Sequence, residues 1–300
     1  MRTFPFAFAL VLFALPLQAQ EADDYRVMVL AQRFNDSDFS VLPEAQALAD
    51  AGVPRAMFII AVAHLYGRGM DKDEAAGIDW MSRAAEAGFP RAMVMLGQAA
   101  QWGWYGEPRD PVKARLWLER AVALDTPEAY GALGQLWQCG DCGAVDPARA
   151  EMLYRRGAVL GDAMSMVGLG RMLTAPTQLE EARALFRRAA LAGNTEGARR
   201  WAEMARDGRG GEEALDEARE GFVIAAAAGN AAGALDLAYL LREHPDLAQS
   251  TTEALVWCLR GRATATEALL TELTTLCDSL SAGLSPADRK AAMAEAAVTP

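Results

Sequence analysis

The sequence predicts an all-α fold, a solenoid of stacked helix pairs, and three observations carry that prediction. First, Pro54-Arg55-Ala56-Met57 returns as Pro90-Arg91-Ala92-Met93, a period of 36 (90 − 54). Second, a small or turn-forming residue recurs along the chain at Gly52, Gly88, Asp125, Gly161, Gly193, Gly229 and Ala265, with spacings of 36, 37, 36, 32, 36 and 36. Self-similarity at roughly 20–50 residues marks units that bury their apolar faces only by stacking on their neighbours. Third, the chain is 52% hydrophobic, rich in alanine and poor in β-branched runs, a composition that favours helix over strand.

Taken in order, residues 1–19 read as a cleaved signal peptide. Arg2 gives a short positive start and Pro5 to Leu17 an apolar run too short to span a bilayer. Leu17-Gln18-Ala19 then places a small residue at the cleavage point, ahead of acidic Glu21-Ala22-Asp23-Asp24. No later segment reaches the roughly 18–20 uninterrupted apolar residues of a membrane helix, so no membrane span is expected after cleavage. Localisation is expected to be periplasmic or secreted. Residues 20–52 read as a capping pair, with helices over 24–35 and 43–51 separated by Asn35-Asp36-Ser37-Asp38.

Residues 53–265 hold the repeat. One period consists of an apolar helix such as Met57 to Leu65, a glycine turn (Gly67-Arg68-Gly69), a second helix from Asp73 to Ala87, and the anchor glycine. A glycine just past a helix suits the left-handed conformation that other residues find strained. Asp125, followed by Thr126-Pro127, is expected to stop its helix by turn chemistry instead. Columns around the anchor keep their chemistry. Four residues before it stand Ala84, Ala121, Gly157, Ala189, Ala225 and Gly261, and four after it Ala56, Ala92, Ala129, Ser165, Gly197 and Gly233. Eight before it the residue is mostly bulky: Trp80, Trp117, Leu153, Leu185, Gly221 and Trp257. Large-small pairs such as Leu96-Gly97, Leu133-Gly134 and Leu169-Gly170 follow at eight and nine after it. Steps of three and four place these residues on single helix faces, where small residues let two helices approach closely. In the short fourth unit Ala175-Pro176-Thr177 replaces the glycine turn. Residues 266–300 read as C-terminal capping helices, the last opening at Ser285-Pro286, a sound start signal.

These columns resemble the Sel1-like repeat, a relative of the tetratricopeptide repeat, carried here by Ala92, Leu96-Gly97, Gly103, Ala114, Trp117, Ala121 and Ala129. The resemblance implies a right-handed α/α superhelix whose usual role is to hold other proteins together. It also implies a concave surface lined by the first helix of each pair. On that helix, positions three and ten after the anchor point away from the small-residue seam, which makes Arg55, Arg91, Gln98, Glu128, Gln135, Arg171 and Glu203 candidates for partner binding. A polar, mixed-charge groove of this kind suits a protein or peptide.

The strongest binding signal is Trp102-Gly103-Trp104-Tyr105-Gly106 in the turn of the second unit, because exposed aromatics are typical interface anchors. Two arrangements are open for Trp102, Trp104 and Tyr105: an exposed patch, or rings folded back over Trp117. The four cysteines form two candidate disulfides. Cys139 and Cys142 flank Gly140-Asp141 at a turn, with no preceding strand to suggest thioredoxin chemistry and no second pair to suggest zinc. Cys258 and Cys277, on consecutive helices, suit a bridge locking the C-terminal cap. His64 occupies an aromatic column, and His244-Pro245-Asp246 reads as a helix-terminating turn.

No nucleophile-base pair, phosphate-cradling loop or zinc-binding His-Glu-x-x-His is present in the sequence. A non-enzymatic chain without cofactor or metal is expected. The net charge of −11 argues against nucleic acid, whose phosphates it would repel. The function expected is that of an exported adaptor. A periplasmic hydrolase acting on β-lactams or the cell wall, and a self-assembling structural element, are the alternatives.

Overall fold

The structure is a computed structural model that describes residues 14–298. The regular secondary structure of the described residues is all helix, with no strand among them. The chain divides into two compact units, Met1–Ala129 with Asp141–Gly143, and Tyr130–Gly140 with Ala144–Pro300.

The first unit contains α1 (Ala14–Asn35), α2 (Leu42–Asp50), α3 (Pro54–Tyr66), α4 (Glu74–Glu86), α5 (Pro90–Trp102) and α6 (Pro111–Ala123). Residues 1–13 of the expected signal peptide lie outside the described residues, and α1 runs through Ala19. Helices α3 and α4 pack as an antiparallel pair, as do α5 and α6, and α4 packs on α5. The start of each helix has a local cause. Proline at the first position opens α3 and α5, and the Asp73 and Asp110 side chains accept from Ala76 N (2.9 Å) and Lys113 N (2.9 Å) to cap α4 and α6.

The second unit holds most of α7 (Pro127–Gln138), then α8 (Pro147–Val159), α9 (Ala163–Met172), α10 (Leu179–Leu191), α11 (Thr195–Arg206), α12 (Leu215–Ala227), α13 (Ala231–Glu243) and α14 (Glu253–Thr264). Two further helices, α15 (Glu267–Ala282) and α16 (Pro286–Ala296), pack on α14. Here the residue after the anchor is itself the cap. Asp162, Asn194 and Asn230 accept from the backbone N–H three residues on, at 2.8, 2.9 and 2.9 Å. His244 caps the end of α13 and leads into a short 3-10 turn, Pro245–Leu247, as expected.

The anchors behave as the sequence requires up to Gly229, with Gly52, Gly88, Gly161, Gly193 and Gly229 all at φ between 82° and 93°. Asp125 departs from expectation by adopting the left-handed conformation itself, at φ 54°, one of the few non-glycine residues able to do so cheaply. Ala265 is extended (φ −67°, ψ 140°), so the last anchor carries no left-handed cap.

Packing sharpens the columns. At Gly161, Gly193 and Gly229 the residues four before and four after the anchor meet across the turn. A Cβ on Gly197 or Gly233 would come within 2.7 Å of Ala189 or Ala225, which is why both columns stay small. The deeply buried knob lies seven residues before the anchor, at Met81, Leu118, Tyr154, Phe186 and Phe222, each at most 4% exposed. The glycines of the Leu-Gly pairs are its sockets: Cβ atoms on Gly97, Gly134 and Gly170 would clash with Leu118, Tyr154 and Phe186. The tryptophans one residue earlier each carry an arginine on one face: Arg83, Arg120 and Arg260 stack on Trp80, Trp117 and Trp257 at 3.8, 4.5 and 4.9 Å.

Candidate functional site

Three surface groups gather sequence-predicted residues, two in the first unit and one in the second. The first is the aromatic turn. Helix α5 ends when Gly103 turns left-handed at φ 72°, and the loop that follows puts Tyr105 at φ 58°. Trp102 and Trp104 are each 47% exposed. The rings do not fold onto Trp117. Tyr105 reaches the preceding repeat, where its hydroxyl lies 2.6 Å from that of Tyr66 and the rings meet edge to face at 6.1 Å. Trp104 stacks edge-on against Tyr105 at 6.4 Å. Burial, reinforced by the Tyr66 hydrogen bond, raises the Tyr105 phenol well above its usual range, so it stays neutral. Of the two arrangements the sequence left open, Trp102 and Trp104 take the exposed one, whereas Tyr105 is half-buried against Tyr66 rather than Trp117. Tyr66 was not singled out from the sequence, although it stands 36 residues before Trp102, each just ahead of its turn glycine.

The second group lies at the other end of the same helices. Arg55 and Arg91, at the starts of α3 and α5, bracket a pair of phenylalanines. Arg55 stacks on Phe89 and Arg91 on Phe58, both at 5.6 Å, while the two rings contact each other at 5.1 Å. These arginines therefore cover apolar surface while keeping their charged heads exposed.

The third group belongs to the second unit. Arg171 at the end of α9 and Glu203 on α11 line one cavity of about 320 Å³, together with Arg200, Arg209, Phe186 and Met204. Arg199 joins α11 to α13, bonding Glu203 Oε1 and Asp236 Oδ2, both at 2.7 Å. Burial raises both carboxylates against the pull of Arg199. Gln98 and Gln135 are half-buried and Glu128 is exposed; none of them enters these groups.

A ladder of ion pairs missed by the sequence reading also runs through the second unit. Glu181, Glu217 and Glu253, spaced by 36, each accept from an arginine of the preceding helix pair. The partners are Arg155 (3.0 Å), Arg183 (3.0 Å) and Arg219 (2.7 Å). Trp201 and Trp257 donate their indole N–H groups to Glu217 and Glu253. Burial pushes the Glu217 carboxyl up, but hydrogen bonds from Arg183 and Trp201 outweigh it and hold the group below its usual value. These charges stitch helix pairs together.

All four cysteines are disulfide-bonded. Cys258 on α14 pairs with Cys277 on α15 across a Cα separation of 5.7 Å, the bridge expected from the sequence. Among the described residues no group of His, Cys, Asp and Glu is arranged to hold a metal ion, and no helix is long and apolar enough to cross a membrane.

The helix-pair geometry, the anchors and the sockets together define a class, the helix-pair repeat protein. The chain carries four Sel1 repeats, over residues 54–89, 90–125, 127–162 and 160–194. Its fold is shared with a protective antigen, c5321, of uropathogenic Escherichia coli that displays an SLR fold. That likeness has a TM-score of 0.72 at 20% identity and covers 87% of this chain and 56% of the antigen. A Sel1 repeat protein from Oxalobacter formigenes is similar over 80% of this chain and all of its own, with a TM-score of 0.67 at 22% identity. In sequence, the chain is 28% identical over 151 residues to the uncharacterized protein NMB1327 of Neisseria meningitidis serogroup B, spanning 50% of this chain and 31% of that relative. Helices α11 to α14 lie beyond the matched repeats yet keep the same pairing.

Proposed function

We propose that this chain is an exported, non-enzymatic adaptor that binds a protein or peptide partner, with the turn of the second repeat as its principal contact. The observation that carries this reading is the exposure of Trp102 and Trp104, each 47%, on a turn whose backbone Tyr105 braces against Tyr66. Large aromatic rings held rigidly in solvent lose little entropy on binding and supply much buried area, the combination found at interface hot spots. Arg55 and Arg91 extend the surface at the opposite end of α3 and α5. Export is supported by the apolar run before Ala19 and by the oxidation of every cysteine, since disulfides persist in oxidising compartments. A non-catalytic role is supported by the structural use of the repeated polar columns, which serve as helix caps and inter-pair ion pairs.

The test is affinity capture from envelope extract with the processed chain and a Trp102→Ala/Trp104→Ala variant. Tyr105 is left in place because it holds the turn. The variant is expected to keep its far-ultraviolet circular dichroism and lose the partners captured by the parent. Recovery of the same partners at the same yield would remove the turn from the binding surface.

A further inference from the structure

We infer that the cavity beside the short fourth repeat binds a small organic oxyanion, a carboxylate or phosphate joined to an apolar group. This goes beyond the adaptor reading and involves none of the aromatic turn.

The cavity arises from a deletion. The spacing from Gly161 to Gly193 is 32 rather than 36, and α9 has 10 residues where α3, α5 and α13 have 13. The lost turn of helix leaves open the space between the end of α9, the start of α10 and the end of α11. Leu173, Leu179, Phe186 and Met204 supply an apolar floor. Its volume of about 320 Å³ falls at the small end of the range for small-molecule sites, roughly 300–1,000 Å³.

The rim is cationic. Arg171 and Arg209 form no ion pair among the described residues, whereas Arg200 is held by Glu196 (Nε to Oε1, 2.5 Å). The one carboxylate in the lining, Glu203, is already bonded to Arg199 at 2.7 Å.

An internal control shows that Arg209 is unusual. It is the middle residue of Gly208-Arg209-Gly210, the counterpart of Arg68 in Gly67-Arg68-Gly69. Arg68 is fully used: it donates to Phe34 O at 2.8 Å and stacks on Phe34 and Phe39 at 4.4 and 5.8 Å. Arg209 has no such partner, because the preceding helix stops a turn early and the cavity takes its place. In a chain of net charge −11, two unpaired guanidinium groups at the edge of this cavity form a local anion site, and their fork geometry matches carboxylate and phosphate alike.

The chemistry has two sources, a free small molecule or the terminal carboxylate of a peptide. Titration calorimetry on the full chain uses four probes: benzoate, phenyl phosphate, a short peptide ending in phenylalanine as the free acid, and the same peptide as its amide. At least one anionic probe is expected to bind saturably, more weakly as salt rises, while the amide fails. Arg171→Ala/Arg209→Ala should weaken that binding by about tenfold or more, and Arg171→Lys/Arg209→Lys should lose less. Binding of the aryl anions alone assigns the site to a small molecule; binding of the peptide acid alone assigns it to a chain terminus. The inference fails if no anion saturates, if amide and acid bind equally, or if the alanine variant binds as the parent does. Were the alanine variant to misfold, the lysine variant and the salt dependence still decide.

Discussion

At the residue scale, the interior is governed by where a Cβ can go. The Tyr154 ring illustrates this, because it lies between two glycines of neighbouring helices. A Cβ on Gly134 would sit 2.6 Å from the ring and one on Gly168 2.5 Å from it. The ring is held in place, since its hydroxyl donates to Gln138 Oε1 at 2.9 Å. Replacing either glycine with alanine sets two effects against each other. Helix propensity favours alanine by about 1 kcal/mol, while overpacking a close-packed core costs about 1–3 kcal/mol. With the ring pinned on both sides, overpacking wins. Gly134→Ala and Gly168→Ala should each lower stability by up to about 2 kcal/mol in urea melts, and either mutant being more stable than the parent would show that the ring has room. The sequence shows that position 134 must be small, because the column repeats. It does not show that Tyr154 rather than Leu153 is the knob, because two adjacent bulky columns differ only in which one faces the partner helix. The left-handed Asp125 was hidden for a related reason: its side chain signals a turn without revealing which residue takes the positive φ.

At the element scale, the pairs are joined by two devices, one legible from the sequence and one not. The small columns four before and four after each anchor can be read along the chain, because both flank the same turn. The ladder of Glu181, Glu217 and Glu253 cannot, because each acid meets an arginine from the preceding pair, 26 residues away for Glu181 and 34 for the other two. Only the fold makes them neighbours. Their burial also grades their worth. Arg155 and Glu181 are 45% and 48% exposed, and a pair so wet contributes about 0–1 kcal/mol. Arg219 and Glu253 are 20% and 11% exposed, and Glu253 also accepts from Trp257 Nε1 and the Gln249 N–H. Removing that carboxylate strands a guanidinium and two further donors, at a cost of about 3 kcal/mol, the lower end for a broken buried pair. Glu253→Ala should therefore destabilise several times more than Glu181→Ala, with Glu217→Ala between them. Equal midpoint shifts for all three in urea titrations would mean that the ladder is a uniform surface feature. The same reasoning explains why the cavity of the fourth unit escaped the sequence. A spacing of 32 shows that a turn is missing, yet gives no hint that Arg200 and Arg209, from the next repeat, line the gap.

At the scale of the whole molecule, a repeat protein distributes its stability locally, since each pair contacts only its neighbours and the total is close to a sum over pairs and their interfaces. Composition and period were enough to predict that architecture, but a period is silent on how its last pair is closed. Here α15 and α16 cover α14, and the Cys258–Cys277 bridge ties α14 to α15. Bridges that close loops of this length contribute about 2–4 kcal/mol, chiefly by restricting the unfolded chain. Local stability and a local bridge together imply that reduction loosens one end of the second unit without melting the rest. Hydrogen exchange of the full chain with and without a phosphine reductant measures this. Protection in α14 to α16 should fall by an amount equivalent to about 3 kcal/mol, while α10 to α12, held by their own sockets and by the Arg183–Glu217 pair, should keep theirs. A uniform loss of protection across these helices would instead mean that the second unit unfolds as one cooperative body. No change anywhere would mean that the packing of Leu273 and Leu276 against Leu255 and Val256 holds the end without its covalent bond. The local outcome also connects the fold to its compartment. Closing helices that depend on a disulfide keep their full stability only where thiols are oxidised.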